Sequence, residues 1–181
     1  MGQAKKNNRK LCTAYIDYQK AYDSVPHTWL VKSLRIYVIE ARIINCLSTM
    51  MQKWSTIFHV RGQKEAVRTD PIRIKRGLYQ GDSLSPLWFC LALNPLSMLL
   101  KESTIGFSIR NNRRVMYIIN HLLYMGDQKL YATTRDKLNQ LLQIVQEYSN
   151  DIQMSLGLEK CRILDTGRKK TKTERNKRKI K

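Results

Sequence analysis

The apolar positions in the first hundred residues follow two different periods. A short apolar run from Leu11 to Asp17 ends in a carboxylate and predicts a buried strand. Apolar residues spaced three to four apart then predict two helices, one over residues 29–38 and one over residues 43–51. A longer apolar stretch over residues 83–101 predicts a third helix, which we expect to be interrupted at Asn94–Pro95.

Short runs of apolar and β-branched residues predict the strands of the remaining chain. They lie at residues 57–60, 72–74, 107–109, 115–119, 122–125, 129–132 and 161–164. The runs at 122–125 and 129–132 are close enough in sequence to form a hairpin. Apolar residues over 138–152 again repeat every three to four positions and predict an amphipathic helix. Because strands and helices do not alternate strictly, the sequence predicts an α+β fold rather than a parallel α/β sheet.

The chain is strongly basic, with 33 Lys and Arg residues against 14 Asp and Glu residues and a formal net charge of +19. Residues 1–10 carry four basic side chains, and residues 168–181 carry nine basic side chains and one acidic side chain. The residues between these ends therefore hold a net charge of +7. We expect a polyanionic partner, and the pattern favours nucleic acid over an anionic membrane surface.

Several classes of protein and site are excluded by composition. The longest apolar run, residues 86–100, is too short to span a bilayer, and the N-terminal residues lack the apolar core of a signal peptide. The four cysteines and three histidines are too scattered for a zinc site, so we expect the cysteines to be buried thiols in a reducing compartment. An intracellular location follows, in the nucleus or the cytoplasm. Any metal would need carboxylate ligands.

Three aspartates lie in or beside apolar segments. Asp17 ends the first strand, Asp23 follows six residues later, and Asp127 lies in the predicted hairpin turn. Two such carboxylates from neighbouring strands would repel each other, and a divalent cation such as Mg²⁺ would relieve the repulsion. Paired carboxylates that share Mg²⁺ with phosphate oxygens suit phosphoryl transfer. A solvent-facing aspartate at a strand end and an ordinary turn aspartate explain the same spacing, so both interpretations stay open.

A glycine-bearing loop precedes the long apolar helix, with the sequence RGLYQGDSLSP from Arg76 to Pro86. Gly77 and Gly81 permit close backbone approach to a ligand, and Arg76 offers a contact to phosphate. The loop is not a P-loop, because no Gly-Lys-Ser/Thr follows. The alternative interpretation is an ordinary loop in which Ser or Asp caps the next helix.

Four sequence blocks together resemble a known family. They are AYIDYQKAYDSVPHTWL (14–30), RGLYQGDSLSPLWF (76–89), LLYMGDQKLYA (122–132) and SNDIQMSLGLEKC (149–161). In order and spacing they resemble motifs A, B, C and D of the reverse transcriptases of non-LTR (LINE-type) retrotransposons. The resemblance covers residues 11–166 and implies an RNA-directed DNA polymerase with a right-hand architecture. It also implies a palm built on an antiparallel sheet backed by helices, two Mg²⁺ ions, dNTPs, an RNA template and a DNA primer.

The resemblance also implies roles for individual residues. Asp17 in motif A and Asp127 in motif C match catalytic metal ligands, and Lys160 in motif D matches a lysine near the pyrophosphate leaving group. Tyr22 stands where the family has an aromatic gate against the ribose 2′-OH, and Gln80 and Gly81 stand where motif B contacts the template and the incoming nucleotide. Asp23 belongs to the sequence pattern but is not expected to bind metal.

One departure from the family pattern bears on catalysis. Motif C reads Tyr-Met-Gly-Asp over residues 124–127, where the family has two consecutive aspartates after an aromatic residue and a variable one. Gly126 therefore takes the position of the metal ligand that bridges both ions, and we expect little or no polymerase activity. Gly126–Asp127 would suit a type II′ turn, so we expect the fold to survive the loss.

The expected domain organisation has three parts. Residues 1–10 form a basic lead-in, residues 11–166 a partial palm-like domain, and residues 167–181 a basic tail. From the motif positions we expect the fingers, thumb and endonuclease of the family to be missing. The tail is compatible with nuclear localisation, with nonspecific nucleic-acid binding, or with a solvated segment without a role. The alternative function is a non-enzymatic, nucleic-acid-binding remnant of a retrotransposon polymerase.

Overall fold

The computed structural model describes residues 9–61, 66–111 and 114–166, so most of the predicted lead-in and the whole basic tail lie outside the described residues. Helices and antiparallel strand pairs both occur, which confirms the predicted α+β class. The strands are β1 (Leu11–Asp17), β2 (Ser55–Thr56), β3 (His59–Arg61), β4 (Ala66–Arg68), β5 (Ile72–Arg73), β6 (Phe107–Asn111), β7 (Arg114–Ile119), β8 (His121–Tyr124), β9 (Asp127–Ala132) and β10 (Arg162–Thr166). The helices are α1 (Ala21–Ser24), α2 (His27–Ile36), α3 (Ala41–Lys53), α4 (Ser85–Glu102) and α5 (Arg135–Asp151).

The chain forms two compact units. Unit 1 contains residues 1–21 and 93–181, and unit 2 contains residues 22–92. Unit 1 is built on a four-stranded antiparallel sheet in the order β10-β1-β9-β8. The two central strands, β1 and β9, pair so that Asp17 lies directly opposite Asp127.

The two faces of this sheet differ because successive side chains of a strand point to opposite sides. One face is buried and is covered by α5, whose Thr134 cap accepts a hydrogen bond from the Lys137 amide at 3.3 Å. Its buried side chains are Cys12, Ala14 and Ile16 of β1, Leu130 and Ala132 of β9, and Leu138, Leu141, Val145 and Tyr148 of α5. The opposite face carries the aspartates and their neighbours at one end, and the buried Leu11 and Thr13 at the other end.

Gln128 breaks the apolar pattern of the buried face. It lies on β9 between the aspartate at position 127 and Leu130, and its side chain is only 2% exposed. Neither its amide nitrogen nor its amide oxygen makes a hydrogen bond of good geometry among the described residues, although interaction with Gln128 partly offsets the rise that burial causes in the pKa of Tyr18. A buried polar group without a partner costs about 1–3 kcal/mol of folding free energy.

Replacing Gln128 by Met should therefore stabilise the protein by about 1–3 kcal/mol, since Met has nearly the same shape and no amide to desolvate. Urea denaturation followed by circular dichroism measures the difference. Gln128→Glu is the matched control, and it should destabilise the protein because it buries a charge. A Met variant no more stable than the natural protein would show that the amide is satisfied in solution.

The start of the β8–β9 hairpin is fixed to the second half of α4 by a chain of polar contacts within unit 1. Ser97 Oγ lies 2.7 Å from His121 Nε2, and His121 Nδ1 lies 2.6 Å from Asn120 Oδ1. The Asn120 amide in turn donates to the Leu100 carbonyl. Burial lowers the pKa of His121, and the positive charge of Lys101 lowers it further. A neutral imidazole therefore joins helix and hairpin.

Unit 2 contains α2, α3, the first part of α4 and the two short strand pairs β2–β5 and β3–β4. The Trp29 indole donates to the Ala92 carbonyl at 2.9 Å, which fixes α2 against α4. The Trp54 ring centroid lies 4.9 Å from that of Tyr79 and 5.1 Å from that of His27, both in edge-on arrangements. Among the described residues, no helix of either unit is long and apolar enough to cross a membrane.

The predicted strand over residues 11–17 is confirmed, but two other predictions are wrong. α4 continues through Pro95 without interruption, because the buried Leu96 and Leu100 beyond the proline hold the helix despite one lost hydrogen bond. Cys46 and Cys90 are exposed rather than buried, whereas Cys12 and Cys161 are buried as predicted. Helical periodicity explains the exposure of Cys46, since Ile44 and Met51 define the buried side of α3.

Candidate active site

Asp17 and Asp127 are brought together because they end and begin the two central strands of the unit 1 sheet. As direct antiparallel partners, their Cβ atoms are expected to lie about 5 Å apart. Both side chains line a cavity of about 450 Å³, together with Tyr15, Leu122, Tyr124, Lys129 and Lys160. Two carboxylates at this spacing repel each other, so the site favours a cation.

Lys160 supplies a positive charge at this point. Its ammonium nitrogen lies 3.0 Å from Asp17 Oδ2. The hydrogen bond and negative charge of Asp17 raise the pKa of Lys160, and the charge of Asp127 contributes in the same direction. The structure thus places three of the residues predicted as catalytic (Asp17, Asp127 and Lys160) around one cavity.

Gly126 faces the same carboxylate. A Cβ atom built on Gly126 would lie 3.9 Å from Asp17 Oδ1 and 3.0 Å from the Ala21 Cβ atom. A side chain at position 126 would therefore extend beside Asp17, at the cost of a small local shift. Among residues 9–61, 66–111 and 114–166, no group of three or more His, Cys, Asp or Glu side chains is placed to hold a metal ion.

The predicted type II′ turn at Gly126–Asp127 is wrong. Tyr124 pairs with Asp127, so the two loop residues are Met125 and Gly126. Met125 is the residue with positive φ, at 52°, whereas Gly126 is not in the left-handed region. The turn therefore places an unbranched but bulky residue where glycine is preferred, and this is a source of local backbone strain.

The motif B residues and Tyr22 belong to unit 2. The Tyr22 ring stacks on Phe89 with centroids 4.8 Å apart and planes 6° apart, which fixes its orientation. Gly77 has φ 94° and packs against the Asp23 backbone, where a Cβ atom would approach the Asp23 oxygen to 2.9 Å. Only glycine fits this crossing of the two chain segments.

The other predicted binding residues lie on the loop around Gly77. Arg76 forms an isolated β-bridge with Pro26, which fixes the start of the loop. Gln80 and Gly81 are exposed, and a Cβ atom built on Gly81 would meet nothing within 4 Å. The loop therefore presents these two residues to solvent.

Two groups of residues were missed by sequence reasoning. Lys129 lies opposite Tyr15, with its ammonium 4.4 Å from the ring centroid, on the same sheet face as the aspartates. The strand period of two would have indicated it, since Lys129 follows Asp127 by two residues and Tyr15 precedes Asp17 by two. His27 Nε2 donates to the Gly77 carbonyl at 2.9 Å, and burial lowers the pKa of His27. That contact depends on tertiary packing and has no signal in the local sequence.

The family model for "Reverse transcriptase (RNA-dependent DNA polymerase)" matches residues 1–177. The chain belongs to the reverse transcriptase family. This reverse transcriptase chain is 28% identical over 156 residues to the Pol polyprotein of the type-2 retrotransposable element R2DM of Drosophila melanogaster, covering 86% of the chain and 14% of that protein. It is 29% identical over 164 residues to the Pol polyprotein of the type-1 element R2 of Nasonia vitripennis, covering 90% of the chain and 15% of that protein.

These relatives confirm the resemblance to reverse transcriptases of non-LTR retrotransposons, and the chain spans about one seventh of their length. Among solved structures, the reverse transcriptase chain is similar to an apo telomerase of Candida tropicalis truncated from its C-terminal domain. The TM-score is 0.64 at 14% identity, over 93% of this chain and 33% of the telomerase chain. At this identity the likeness concerns the fold.

Reverse transcriptases generally use divalent metal ions. The described residues of this chain provide two carboxylates, a glycine at the third motif C position and a lysine in contact with Asp17. This set does not fit the pair of divalent ions that the family resemblance implied, because position 126, where the resemblance leads us to expect a carboxylate, is a glycine, and Asp17 is already paired with a cation.

Proposed function

We propose that this reverse transcriptase chain is a palm domain that binds a primed RNA template and has little or no nucleotidyl-transfer activity. The observation that carries the proposal is Gly126, which faces Asp17 at the point where a third carboxylate would extend. Primer, dNTPs and Mg²⁺ are the partners that the family chemistry would require. Loss of one charge that stabilises a transition state typically lowers the rate by a factor of about 10² to 10³.

Charge and similarity support an RNA partner. The chain has a net charge of +19, which favours a phosphate backbone. A solved relative in fold is a telomerase of Candida tropicalis in complex with the TWJ fragment of telomeric RNA, with a TM-score of 0.60 at 13% identity. On unit 1, Lys129 and the half-exposed Tyr15 add a cation and an aromatic ring beside the aspartates.

The residue roles carried by the motifs form part of the same proposal. Asp17, Asp127 and Lys160 are the proposed catalytic positions. Tyr22 is the proposed gate against a ribose 2′-OH, and its stacking on Phe89 supports a fixed ring. Arg76, Gln80 and Gly81 are proposed to contact template and nucleotide, which is compatible with the exposure of Gln80 and Gly81.

Binding and extension assays on a primed RNA template distinguish nucleic-acid binding from catalysis. We expect the chain to bind it with an affinity that falls steeply with salt, as fluorescence anisotropy would measure. We expect dNTP incorporation in Mg²⁺ or Mn²⁺ to stay at the level of an Asp17→Ala variant. Extension that Asp17→Ala abolishes would contradict the predicted inactivity, and salt-insensitive or absent binding would contradict the proposed partner.

A further inference from the structure

Two lysines lie near the aspartate pair, and they contact different kinds of group. Lys160 and Lys129 both line the cavity with Asp17 and Asp127. Lys129 is directed to aromatic rings, with its ammonium 4.4 Å from the Tyr15 centroid and 5.5 Å from the Tyr131 centroid. Lys160 instead contacts a carboxylate, at 3.0 Å from Asp17 Oδ2.

The backbone that carries Lys160 is attached to the end of β1 by hydrogen bonds. The Gln19 amide donates to the Ser155 carbonyl at 2.9 Å, and the Gly157 amide donates to the Asp17 carbonyl at 2.7 Å. The Lys160 amide then donates to the Gly157 carbonyl at 2.8 Å. The lysine side chain is 76% exposed, but its main chain is thus fixed close to the carboxylate that it contacts.

The Lys160 ammonium weakens the attraction of the aspartates for a divalent ion. With Gly126 in place of an acid, the two aspartates carry two negative charges, and one ammonium neutralises half of that charge. A divalent ion bound to Asp17 would either take Oδ2 from the ammonium or bind Oδ1 close to the same positive charge, and electrostatic repulsion opposes the second arrangement. The third carboxylate that would offset this competition is missing.

We propose that Lys160 is the resident cation of this site, and that its ammonium competes with any divalent ion that binds Asp17 and Asp127. The chain then keeps its two aspartates side by side without a bound metal. The proposal rests on the proposed function only in taking Asp17 and Asp127 as the metal-binding side of the site. The experiment that tests the proposal measures cation binding, which does not depend on primer extension.

Mn²⁺ binding to the full chain tests the proposal, measured as loss of the free Mn²⁺ signal in electron paramagnetic resonance. Removing a surface ion pair has a modest effect, so we expect Lys160→Met to bind Mn²⁺ about 2- to 5-fold more tightly than the natural protein. Lys160→Arg keeps the charge and should bind like the natural protein. Lys129→Met is the matched control, because it removes the other cation of the same cavity without breaking a contact to Asp17.

The gain in Mn²⁺ affinity of Lys160→Met must also depend on Asp17. Adding Asp17→Asn to Lys160→Met should abolish it, and circular dichroism should show that every variant keeps the fold. Equal Mn²⁺ affinities of the natural protein and Lys160→Met, an equal gain in Lys129→Met, or no detectable binding by Lys160→Met would each overturn the proposal. Absence of primer extension in all these proteins leaves it unaffected, so the two proposals fail separately.

Discussion

Replacing Gly126 by Asp raises primer extension about 10²- to 10³-fold when the palm segment is part of a complete reverse transcriptase, a magnitude that follows from the usual cost of removing one electrostatic contact from a transition state. The Cβ position of residue 126 lies 3.9 Å from Asp17 Oδ1, so the new carboxylate extends to the Asp17–Asp127 pair. Three carboxylates then face the cavity instead of two.

The measurement uses a matched pair of chimaeras. Residues 122–132 replace the corresponding segment of the complete R2 protein of Nasonia vitripennis, once with the natural Gly126 and once with the Gly126→Asp substitution. Gly126→Asn is the steric control, since it fills the same space next to Ala21 without a negative charge and should not restore activity. Equal extension rates for the natural segment and the Gly126→Asp segment would refute the role assigned to this position.

Replacing Leu130 by Ala lowers the free energy of unfolding by about 2–5 kcal/mol, the usual range for a large-to-small change in a packed core. Leu130 is 0% exposed and lies on β9, the strand between β1 and β8. Because a domain is stable by only about 5–15 kcal/mol, this one change removes a large share of the total. Guanidinium denaturation followed by circular dichroism measures it.

Leu122→Ala is the control for that experiment. Leu122 lies on β8, next to β9, but is 53% exposed, so its truncation should change stability by no more than about 0.5 kcal/mol. A loss at Leu122 as large as that at Leu130 would show that the exposed face of the sheet is covered in solution.

The sequence predicted the central elements well where the signal is local. The apolar run that ends at Asp17 has the bounds of β1, and the four motifs identified the aspartates and the lysine that the fold brings together. The hairpin turn was misplaced by one residue, because pairing of Tyr124 with Asp127 decides the register and the turn sequence alone does not.

Other features could not be predicted because they depend on packing between distant segments. Alternation places Gln128 on the same side of β9 as Leu130 and Ala132, but nothing in the sequence shows that its amide lacks a partner there. Helix α4 passes through Pro95 because the buried leucines beyond it stabilise the helix more than one missing hydrogen bond destabilises it. The contact between His27 and Gly77 joins residues fifty positions apart.

The location of the aspartates at strand ends has a consequence for how such a protein changes over generations. Asp127 is exposed and Asp17 half-buried, while most of the buried side chains of the sheet lie on its other face. Substitutions of these two aspartates should therefore cost the molecule little folding free energy. A copy of this sequence that loses a carboxylate at these strand ends should therefore still encode the same sheet.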